Sequence, residues 1–254
     1  MLTPKPCLLI PIYDHKDGIG RVVASLATCG LHCFVIDDGS NAATRAVLDA
    51  IEARYPWVEV FHRERNGGRG AALKTGYRLA ARAGFTHAIQ LDADGQHDAA
   101  DVKRFVAEIE SDPEALILGT PIFDASVPKS RLYGRQLSRG MVWLTTLSFE
   151  ISDPLCGFRG IPLAATVALI DSVATGDAME FDPELVIRLH WRGLAIRSVP
   201  THVVYEPGGL SHFHVLGDNA RMTWLYTRSL AGMGIRLPLL LRRRVVAALR
   251  GPSR

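Results

Sequence analysis

The sequence has few cysteines and no long apolar run. These two features argue against several classes of protein. Its four cysteines are scattered over 254 residues without a C-x-x-C pair, which disfavours a zinc site and a disulfide framework. No apolar run reaches the roughly 18 residues that a membrane-spanning helix needs. The first six residues also lack the apolar segment of a secretion signal. We therefore expect reduced cysteines in the core and a cytoplasmic location.

Acidic residues are missing from the last part of the chain. After Asp218 there are eight arginines and neither Asp nor Glu, whereas residues 1–218 contain 21 basic and 26 acidic side chains. The first 218 residues therefore carry a net charge of −5, although the whole chain carries +3. All the excess positive charge lies in the tail.

The composition of the tail predicts contact with an anionic membrane surface. Residues 235–249 combine leucine and valine with Arg242, Arg243 and Arg244, which is typical of a helix in the headgroup region of an anionic bilayer. Nucleic acid is not expected as a partner, because no aromatic residue follows Tyr226 and no binding module is recognisable. A frayed, solubilising terminus is the alternative.

Short apolar runs alternate with amphipathic segments in the first half of the chain. This alternation predicts an α/β fold with a mostly parallel sheet flanked by helices. The predicted strands are 7–12, 33–36, 58–62, 88–91 and 116–119, and the predicted helices are 17–28, 44–55, one entered through 66–76, and 99–110. The second half is less regular, with helices expected at 129–149, 179–190 and 219–230 and short strands at 196–199 and 203–205.

Two of the predicted strands end in pairs of acidic residues. The second strand runs into Asp37 and Asp38, and the fourth into Asp92 and Asp94 within the sequence D-A-D-G-Q-H. Ligands of open α/β sheets bind beyond the carboxyl ends of the strands, so these acids are placed to face a ligand. Neighbouring carboxylates favour a cation such as Mg²⁺ or Mn²⁺, bound to a phosphate. A calcium loop is excluded because Lys103 occupies the position of its bidentate glutamate, and a solvated turn is the alternative.

The glycine-rich segment 66–76 resembles a phosphate-binding loop at the start of a helix. It fits neither the Walker sequence nor the Rossmann sequence, because Gly70 is followed by Ala71 and position 73 is leucine. We interpret Arg69 and Lys74 as phosphate or ribose contacts. The alternative for the glycines is close packing of the helix on the sheet.

Five motifs, taken in order, resemble those of the family-2 glycosyltransferases and of their polyprenyl-phosphate branch. They are P-I-Y-D at 11–14, D-D-G-S at 37–40, the segment N-G-G-R-G-A-A-L-K-T-G at 66–76, D-A-D-G-Q at 92–96 and C-G-F-R at 156–159. The resemblance spans roughly residues 7–215. It implies a GT-A fold, an inverting transfer, a nucleotide-sugar donor carrying UDP or GDP, and a bound Mg²⁺ or Mn²⁺.

The resemblance also implies roles for individual residues. The base and ribose would contact Pro11, Tyr13, Asp14 and one of Asp37 and Asp38. Asp92 would lie at the nucleotide end of the donor, and Asp94, helped by Gln96, would bind the metal that neutralises the leaving diphosphate. The sequence departs from the branch at 206–212, where the family's arginine before the late G-x-S segment is missing, and it lacks the multi-span membrane domain of some relatives.

The acceptor is less well defined. A phosphate monoester needs no protein base because its second pKa of about 6 leaves it ionised near neutrality, whereas a hydroxyl needs a carboxylate within reach. The candidate bases are Asp153, Glu180 and Asp182, and Asp153 is favoured because it accompanies the C-G-F-R motif. Capping of a helix is the alternative for Asp182, since Pro183 suits a first helical position.

Several arginines are candidates for contact with an acceptor phosphate, because their forked, permanently charged groups suit that anion. They are Arg159 and, on one predicted helical stripe, Arg131, Arg135 and Arg139. A solvated helix face is the alternative for the stripe.

These patterns together predict a metal-dependent inverting glycosyltransferase, peripheral on the cytosolic face of the membrane. It would transfer a sugar to a lipid-linked acceptor, such as a polyprenyl phosphate. We expect a GT-A domain over 1–232, with a nucleotide-sugar half at 1–120 and an acceptor half at 121–232, and a basic tail at 233–254. The alternatives are transfer to a hydroxyl of a small molecule, polyene-like lipid or glycan, and a non-catalytic nucleotide-sugar binding protein. A nucleotidyltransferase is disfavoured because no G-x-G-[T/S]-R segment follows the first strand.

Overall fold

A seven-stranded sheet forms the centre of the protein. The computed structural model describes residues 3–123, 127, 129–203 and 215–250. The strands are β1 (Pro6–Ile12), β2 (Cys33–Asp37), β3 (Val58–His62), β4 (His87–Gln90), β5 (Leu116–Phe123), β6 (Arg159–Pro162) and β7 (Ile196–Val203). Their order is β3-β2-β1-β4-β6-β5-β7, and among them only β6 runs antiparallel to its neighbours. The predicted mostly parallel α/β architecture is confirmed.

Helices cover both faces of this sheet. They are α1 (Lys16–Leu26), α2 (Ala42–Arg54), α3 (Arg69–Arg82), α4 (Val102–Ser111), α5 (Lys129–Thr146), α6 (Leu163–Ser172), α7 (Phe181–Arg192) and α8 (Val215–Arg250). Successive strand residues point to opposite faces, so Leu8 and Ile10 pack with α1 and α4 while Cys7 and Leu9 pack with α3. This double burial explains why β1 reads as an unbroken apolar run.

The strand order creates a crevice between β1 and β4. The chain proceeds from β1 to β2 and β3 on one side and then returns to place β4 on the other side of β1. This reversal is the topological switch point at which open α/β sheets bind ligands. Proline has no backbone N–H to donate to a neighbouring strand. Pro11 is tolerated inside β1 because the pairing with β4 ends at Leu9, so no N–H is needed at position 11 on that side.

The second half differs from the sequence-based prediction in four places. Strand β6 (residues 159–162) and helix α6 were not predicted. Residues 196–203 form one strand, β7, because all eight residues pair in register with β5. The predicted helix 219–230 and the predicted tail are parts of one helix, α8, so the expected boundary at 232/233 falls inside a continuous element. The loop at 207–212 lies outside the described residues.

The remaining differences are small. The predicted helix 99–110 begins with a short 3₁₀ turn, Ala99–Asp101, before α4, and α5 ends at Thr146 rather than at 149. Gly30 ends the first helical segment with a φ of 67°, as predicted from its position.

Within the described residues, no helix combines the length and the apolar character needed to cross a membrane.

Candidate active site

The acidic residues predicted from the strand ends meet at the carboxyl edge of β1, β2 and β4. Asp14 follows β1, Asp37 and Asp38 end β2, and Asp92 and Asp94 follow β4. Because β6 is antiparallel, its first residue and the segment before it reach the same edge. The switch-point crevice therefore brings the D-A-D and C-G-F-R motifs together.

Asp92 is held from two sides by protein groups. Arg69 Nη2 lies 2.6 Å from Asp92 Oδ1, and His97 Nε2 lies 3.9 Å from Oδ2. Burial opposes ionisation of Asp92, but the positive charge of Arg69 outweighs it and holds the pKa of this carboxyl well below its usual range. Asp92 is therefore a fixed, fully ionised group whose charge is balanced by Arg69.

Asp94 has a different environment. Its Oδ1 accepts a hydrogen bond of 3.0 Å from the Gln96 backbone N–H, and no cationic side chain of the described residues forms an ion pair with it. Burial and the negative charge of Asp92 raise the pKa of Asp94. A bound cation would relieve both effects, so the donor set fits a hard divalent metal at Asp94.

Protein ligands alone would not complete such a metal site. Among the described residues there is no cluster of three or more His, Cys, Asp or Glu side chains able to hold a metal. This composition suits Mg²⁺ or Mn²⁺, because magnesium sites of phosphate-transfer enzymes use one or two carboxylates and take other ligands from substrate phosphates and water. Gln96 contributes a backbone N–H to Asp94 rather than a side-chain contact.

Gly157 packs directly against the Asp92 carboxylate. A Cβ built on Gly157 would lie 2.2 Å from Asp92 Oδ2, so any larger residue must displace this side chain. The C-G-F-R motif thus fixes the D-A-D motif by close packing, and this role of Gly157 has no signal in the sequence beyond the residue type.

Replacing Gly157 with alanine is expected to lower nucleotide-sugar turnover by at least about tenfold, because small displacements of a positioned group have costs of that order or larger. Steady-state nucleotide release tests this. Gly134→Ala is the matched control, because nothing lies within 4 Å of a Cβ built at that glycine. Unchanged turnover in Gly157→Ala would show that the position of Asp92 does not matter.

Asp37 and Asp38 stabilise loops at the edge of the site. Asp37 is fully buried and accepts hydrogen bonds from the Ser40 N–H (2.9 Å) and His62 Nδ1 (2.8 Å). Burial would raise the pKa of Asp37, but these hydrogen bonds outweigh it and lower the pKa. The Asp37 carboxylate therefore has no exposed atom for a nucleotide, which leaves Asp38 as the candidate of the two.

Asp38 anchors the glycine-rich loop. It forms an ion pair with Arg63 and accepts hydrogen bonds from the N–H groups of Gly67 (3.1 Å) and Gly68 (2.7 Å). Only 3% of Asp38 is exposed. Its contact with a nucleoside, expected from the resemblance, stays a prediction, and what the structure shows is that Asp38 positions the loop.

The end of β1 is shaped by Asp14. This residue adopts a left-handed backbone with φ 47°, its N–H donates to Ser40 Oγ (2.9 Å), and its Oδ1 accepts from the Asn41 N–H (2.8 Å). Pro11 is buried, while Tyr13 and Asp14 are partly exposed. Tyr13 and Asp14 thus have exposed surface at the end of β1, and the contact of Pro11, Tyr13 and Asp14 with a nucleoside stays a prediction.

The glycines of segment 66–76 pack closely rather than line an open cradle. A Cβ on Gly68 would lie 2.5 Å from the Asp177 carbonyl oxygen, one on Gly70 2.5 Å from Phe181 Cβ, and one on Gly76 2.6 Å from Leu9 Cδ1. Gly76 therefore fits the alternative of close packing on the sheet, whereas Gly68 and Gly70 pack closely on the turn before α7 and on its first residue.

Lys74 is not brought to the crevice. It follows Arg69 by five residues and so lies about 140° around α3 from it. Its Nζ lies 2.5 Å from Asp177 Oδ1 and donates to the Gly176 carbonyl at 3.1 Å. Lys74 was expected to contact the phosphate or ribose of the nucleotide sugar. In the structure it binds the turn before α7 instead.

Asp182 lies at the centre of a buried charge network. Its carboxylate is 2.6 Å from Arg69 Nε and 3.2 Å from Arg159 Nη1, and it accepts a hydrogen bond from Gln90 Nε2 at 3.3 Å. The Tyr77 hydroxyl donates to Gln90 Oε1 at 2.5 Å. Burial would raise the pKa of Asp182, but the two arginines outweigh it and lower the pKa.

This network changes three sequence-based assignments. Asp182 lies in the first turn of α7, whose N-cap is Glu180, so Asp182 does not cap the helix. Arg159 is completely buried and donates to the carbonyls of Cys156 (2.7 Å), Pro154 (2.6 Å) and Asp182 (2.8 Å), so it cannot contact an acceptor. Arg69 bridges Asp92 and Asp182 instead of reaching a phosphate.

Asp153 stands apart from that network, on the side of α5. Its Oδ1 accepts the N–H groups of Leu155 (2.8 Å) and Cys156 (2.9 Å), and its Oδ2 pairs with Arg135. Arg139 lies farther along α5, with its guanidinium 4.7 Å from the centre of the Trp143 ring. The side chain of Arg131 lies outside the described part of the chain.

His97 also lies at the site, next to Asp92, although no role for it was predicted from the sequence. Its ring lies 5.2 Å from that of Phe158, and 8% of its side chain is exposed. His97 Nδ1 is buried without a hydrogen-bond partner in the described part of the chain. The only sequence signal for this residue is its place directly after D-A-D-G-Q.

Comparisons with known proteins find similar sequences among sugar transferases. The chain is 27% identical over 215 residues to the undecaprenyl-phosphate mannosyltransferase of Micrococcus luteus, covering 79% of this chain and 84% of that protein. It is 29% identical to the polyprenol monophosphomannose synthase of Mycolicibacterium smegmatis over 118 residues, which cover 45% of this chain and 44% of that protein.

Solved structures share the fold. The glucosyl-3-phosphoglycerate synthase of Mycobacterium tuberculosis, in complex with Mn²⁺ and UDP-glucose, superposes with a TM-score of 0.66 at 17% identity over 91% of this chain and 79% of that chain. TarS of S. aureus with UDP-GlcNAc gives 0.63 at 16% identity over 94% and 72%. The expected GT-A fold is thereby confirmed. The model of glycosyl transferase family 2 matches residues 7–159, more than half of the chain, and the protein belongs to this family of glycosyltransferases.

Proposed function

We propose that this glycosyltransferase transfers a sugar from a nucleotide-diphosphate sugar to a lipid phosphate, with inversion at the anomeric carbon. The bond between the sugar and the donor diphosphate breaks as the bond to an acceptor phosphate oxygen forms. The products are a nucleoside diphosphate and a sugar-phosphate lipid. A UDP or GDP donor is expected, and the sugar is not specified by the described contacts.

The donor assignment rests on the two unequal carboxylates after β4. Arg69 compensates the charge of Asp92, whereas Asp94 is partly buried beside a like charge and has no ion pair within the described residues. Asp92 is a fixed anion, and Asp94 is an anion that needs a cation. Together they suit a site that binds a diphosphate with its metal ion. When bound, Mg²⁺ or Mn²⁺ would neutralise the charge that develops on the leaving diphosphate.

Further residues at the crevice would hold the nucleoside. Tyr13 and Asp14 are partly exposed at the end of β1, and Asp38 fixes the neighbouring loop. The structure of a fold relative contains Mn²⁺ and UDP-glucose, which supports a nucleotide-sugar donor and a divalent metal for this chain too.

The choice of a phosphate acceptor rests on one observation: Asp153 and Asp182 are already paired with arginines, and Glu180 Oε2, which has no hydrogen-bond partner among the described residues, is buried. Asp153 accepts two N–H groups and pairs with Arg135, and Asp182 pairs with two arginines. Glu180 Oε1 accepts the N–H groups of Asp177 and Ala178 at 3.2 and 3.3 Å. A hydroxyl acceptor would need a free carboxylate. A phosphate acceptor needs none, because it is already ionised near neutrality.

The named relatives point to the same acceptor class. Curated relatives include an undecaprenyl-phosphate mannosyltransferase, a polyprenol monophosphomannose synthase and a Methanococcus voltae UDP-N-acetylglucosamine–dolichyl-phosphate N-acetylglucosaminyltransferase, the last 25% identical over 78% of this chain and 85% of that protein. A lipid phosphate is met at a membrane surface, so we place this protein peripherally on the cytosolic face. The arginine-rich end of α8 would contribute to the attraction.

Nucleotide release from a panel of UDP-, GDP- and dTDP-sugars, with Mg²⁺ or Mn²⁺, tests this function. Release from one donor is expected only when a short-chain polyprenyl phosphate is added. The matched control is the polyprenol of the same chain length, which offers a hydroxyl in place of the phosphate. Faster release with the alcohol than with the phosphate would contradict the proposal and move the acceptor to a hydroxyl.

A further inference from the structure

Exposed apolar side chains are concentrated on one part of the surface. Of the fourteen large apolar side chains that are exposed in the described residues, twelve lie between residues 133 and 149 or on α8. The other two are Phe61 on β3 and Ile122 on β5. An apolar patch of this extent marks an interaction surface.

The two helices that carry these side chains pack against each other. On α5, Tyr133, Leu137 and Leu144 are 75%, 70% and 48% exposed, and their spacing of four and seven residues places them on one stripe. The opposite sides of the helices are buried, through Val142 on α5 and Leu225 on α8. We call the exposed side chains of residues 132–149 and of α8 the two-helix face.

The two-helix face carries basic side chains and no exposed acid. Arg221, Arg242 and Arg244 are exposed on α8 and Arg139 is partly exposed on α5, and Asp218 is the one acid in the sequences of the two helices. Asp218 is only 3% exposed and lies 3.0 Å from Arg221. A second copy of the chain would bring like charges together, whereas an anionic lipid surface is complementary in both charge and polarity.

We propose that the two-helix face docks on an anionic lipid bilayer, with α5 and α8 lying together in the headgroup region. The proposal rests on the lipid-phosphate function above and goes beyond it by making α5, and not only the basic end of the chain, part of the membrane contact. Trp224 on α8 is 65% exposed, and Tyr133 on α5 is 75% exposed. Both have the apolar ring and polar atom that suit the membrane interface.

The basic end of α8 is a fixed part of this face rather than a loose arm. Arg243 donates to the carbonyls of His190 (3.3 Å) and Trp191 (2.9 Å) at the end of α7, and Arg236 lies 4.7 Å from the centre of the Trp191 ring. Leu240 is 3% exposed. Arg242 and Arg244 are exposed and would contact lipid headgroups in the docked protein.

Helix α5 also separates the proposed lipid surface from the segment around Asp153. Arg135 is two residues from both Tyr133 and Leu137, so it points away from their exposed stripe, and it pairs with Asp153, three residues before the C-G-F-R motif. A headgroup-level position of α5 would therefore bring this segment to within about one helix diameter, roughly 10–12 Å, of the lipid surface.

Vesicle sedimentation with the full chain tests the proposal. Wild-type protein is expected to bind vesicles of phosphatidylglycerol and phosphatidylcholine at low salt, and to bind pure phosphatidylcholine more weakly. The double variant Leu137→Glu/Trp224→Glu should lower the partition coefficient at least about tenfold, because it removes two apolar insertions and adds two negative charges. Phe61→Glu is the matched control, since Phe61 is 39% exposed at the far edge of the sheet, and should bind like wild type.

Two results would overturn the proposal. One is equal binding of the double variant and the wild type to anionic vesicles. The other is a wild-type dimer in light scattering that the double variant converts to a monomer, which would make a second copy the occupant. Nucleotide release with a water-soluble acceptor phosphate and no vesicles separates this test from the proposed function. The double variant should equal wild type there, whereas loss of the function itself would abolish release in both and leave vesicle binding intact.

Discussion

Replacing Asp94 with asparagine is expected to reduce sugar transfer at least about a hundredfold, because losing even an outer-shell partner of a metal ligand typically costs about 10–100-fold. The same change should make the metal-free protein more stable. Burial and the negative charge of Asp92 raise the pKa of Asp94. The ionised side chain therefore lowers the stability of the folded state relative to the unfolded state. Removing the charge relieves that cost but deprives the metal of its anionic ligand. A rise in Tm of roughly 2 °C would correspond to about 1 kcal/mol in a domain of this size.

Two measurements check the Asp94 prediction. Metal titration of nucleotide release should show the loss of transfer, and thermal unfolding in the presence of chelator should show the gain in stability. Asp98→Asn is the control, because Asp98 is an exposed acid of the same segment. Its side chain accepts a capping hydrogen bond from the Ala100 N–H, and asparagine can accept the same bond. Normal turnover of Asp94→Asn would remove the metal assignment, and a lowered Tm would contradict the account of like-charge repulsion.

Replacing Arg159 with methionine is expected to cost about 3–5 kcal/mol of unfolding free energy, the usual result of removing one partner from a buried ion pair. Arg159 is completely buried, and its donors satisfy three carbonyl groups besides the Asp182 carboxylate. Methionine fills most of the volume but leaves these acceptors without a partner. Urea unfolding followed by circular dichroism measures the difference.

A surface ion pair provides the matched control for Arg159. Arg78→Met breaks the pair with Asp171, whose atoms are 2.7 Å apart but largely exposed, and should change stability by less than about 0.5 kcal/mol. The double variant Arg159→Met/Asp182→Asn should lose less than the sum of the single losses, because the two residues are in contact. Wild-type stability of Arg159→Met would show that the buried network does not stabilise the fold.

The strand ends of the first half could be predicted from the sequence because their causes are local. β1, β2 and β4 are short apolar runs that stop at Asp14, Asp37 and Asp92, and the crevice follows once the strands are parallel. For the same reason the motifs around Asp92 and Asp94 could be assigned to the site before their contacts were known.

The partners of these residues could not be predicted, because they depend on pairing across the chain. Arg69 has the charge expected of a phosphate contact, but its guanidinium meets Asp182, 113 residues away. Arg159 belongs to the C-G-F-R motif linked to the acceptor, yet the antiparallel direction of β6 turns it into the core. Strand β6 was not predicted, because its sequence R-G-I-P contains glycine and proline, which usually interrupt strands.

The position of β6 has a consequence for synthesis of the chain. β6 lies between β4 and β5, so a growing chain that has formed β1 to β4 keeps one edge of β4 unpaired until residues 159–162 emerge. Ribosomes add about 5–20 residues per second, so the delay of roughly 70 residues lasts about 4–14 s. During that time the apolar edge of β4 is a site for pairing with another nascent chain. Aggregation during expression should therefore be most severe for fragments that end between β4 and β6 and should cease once β6 is included.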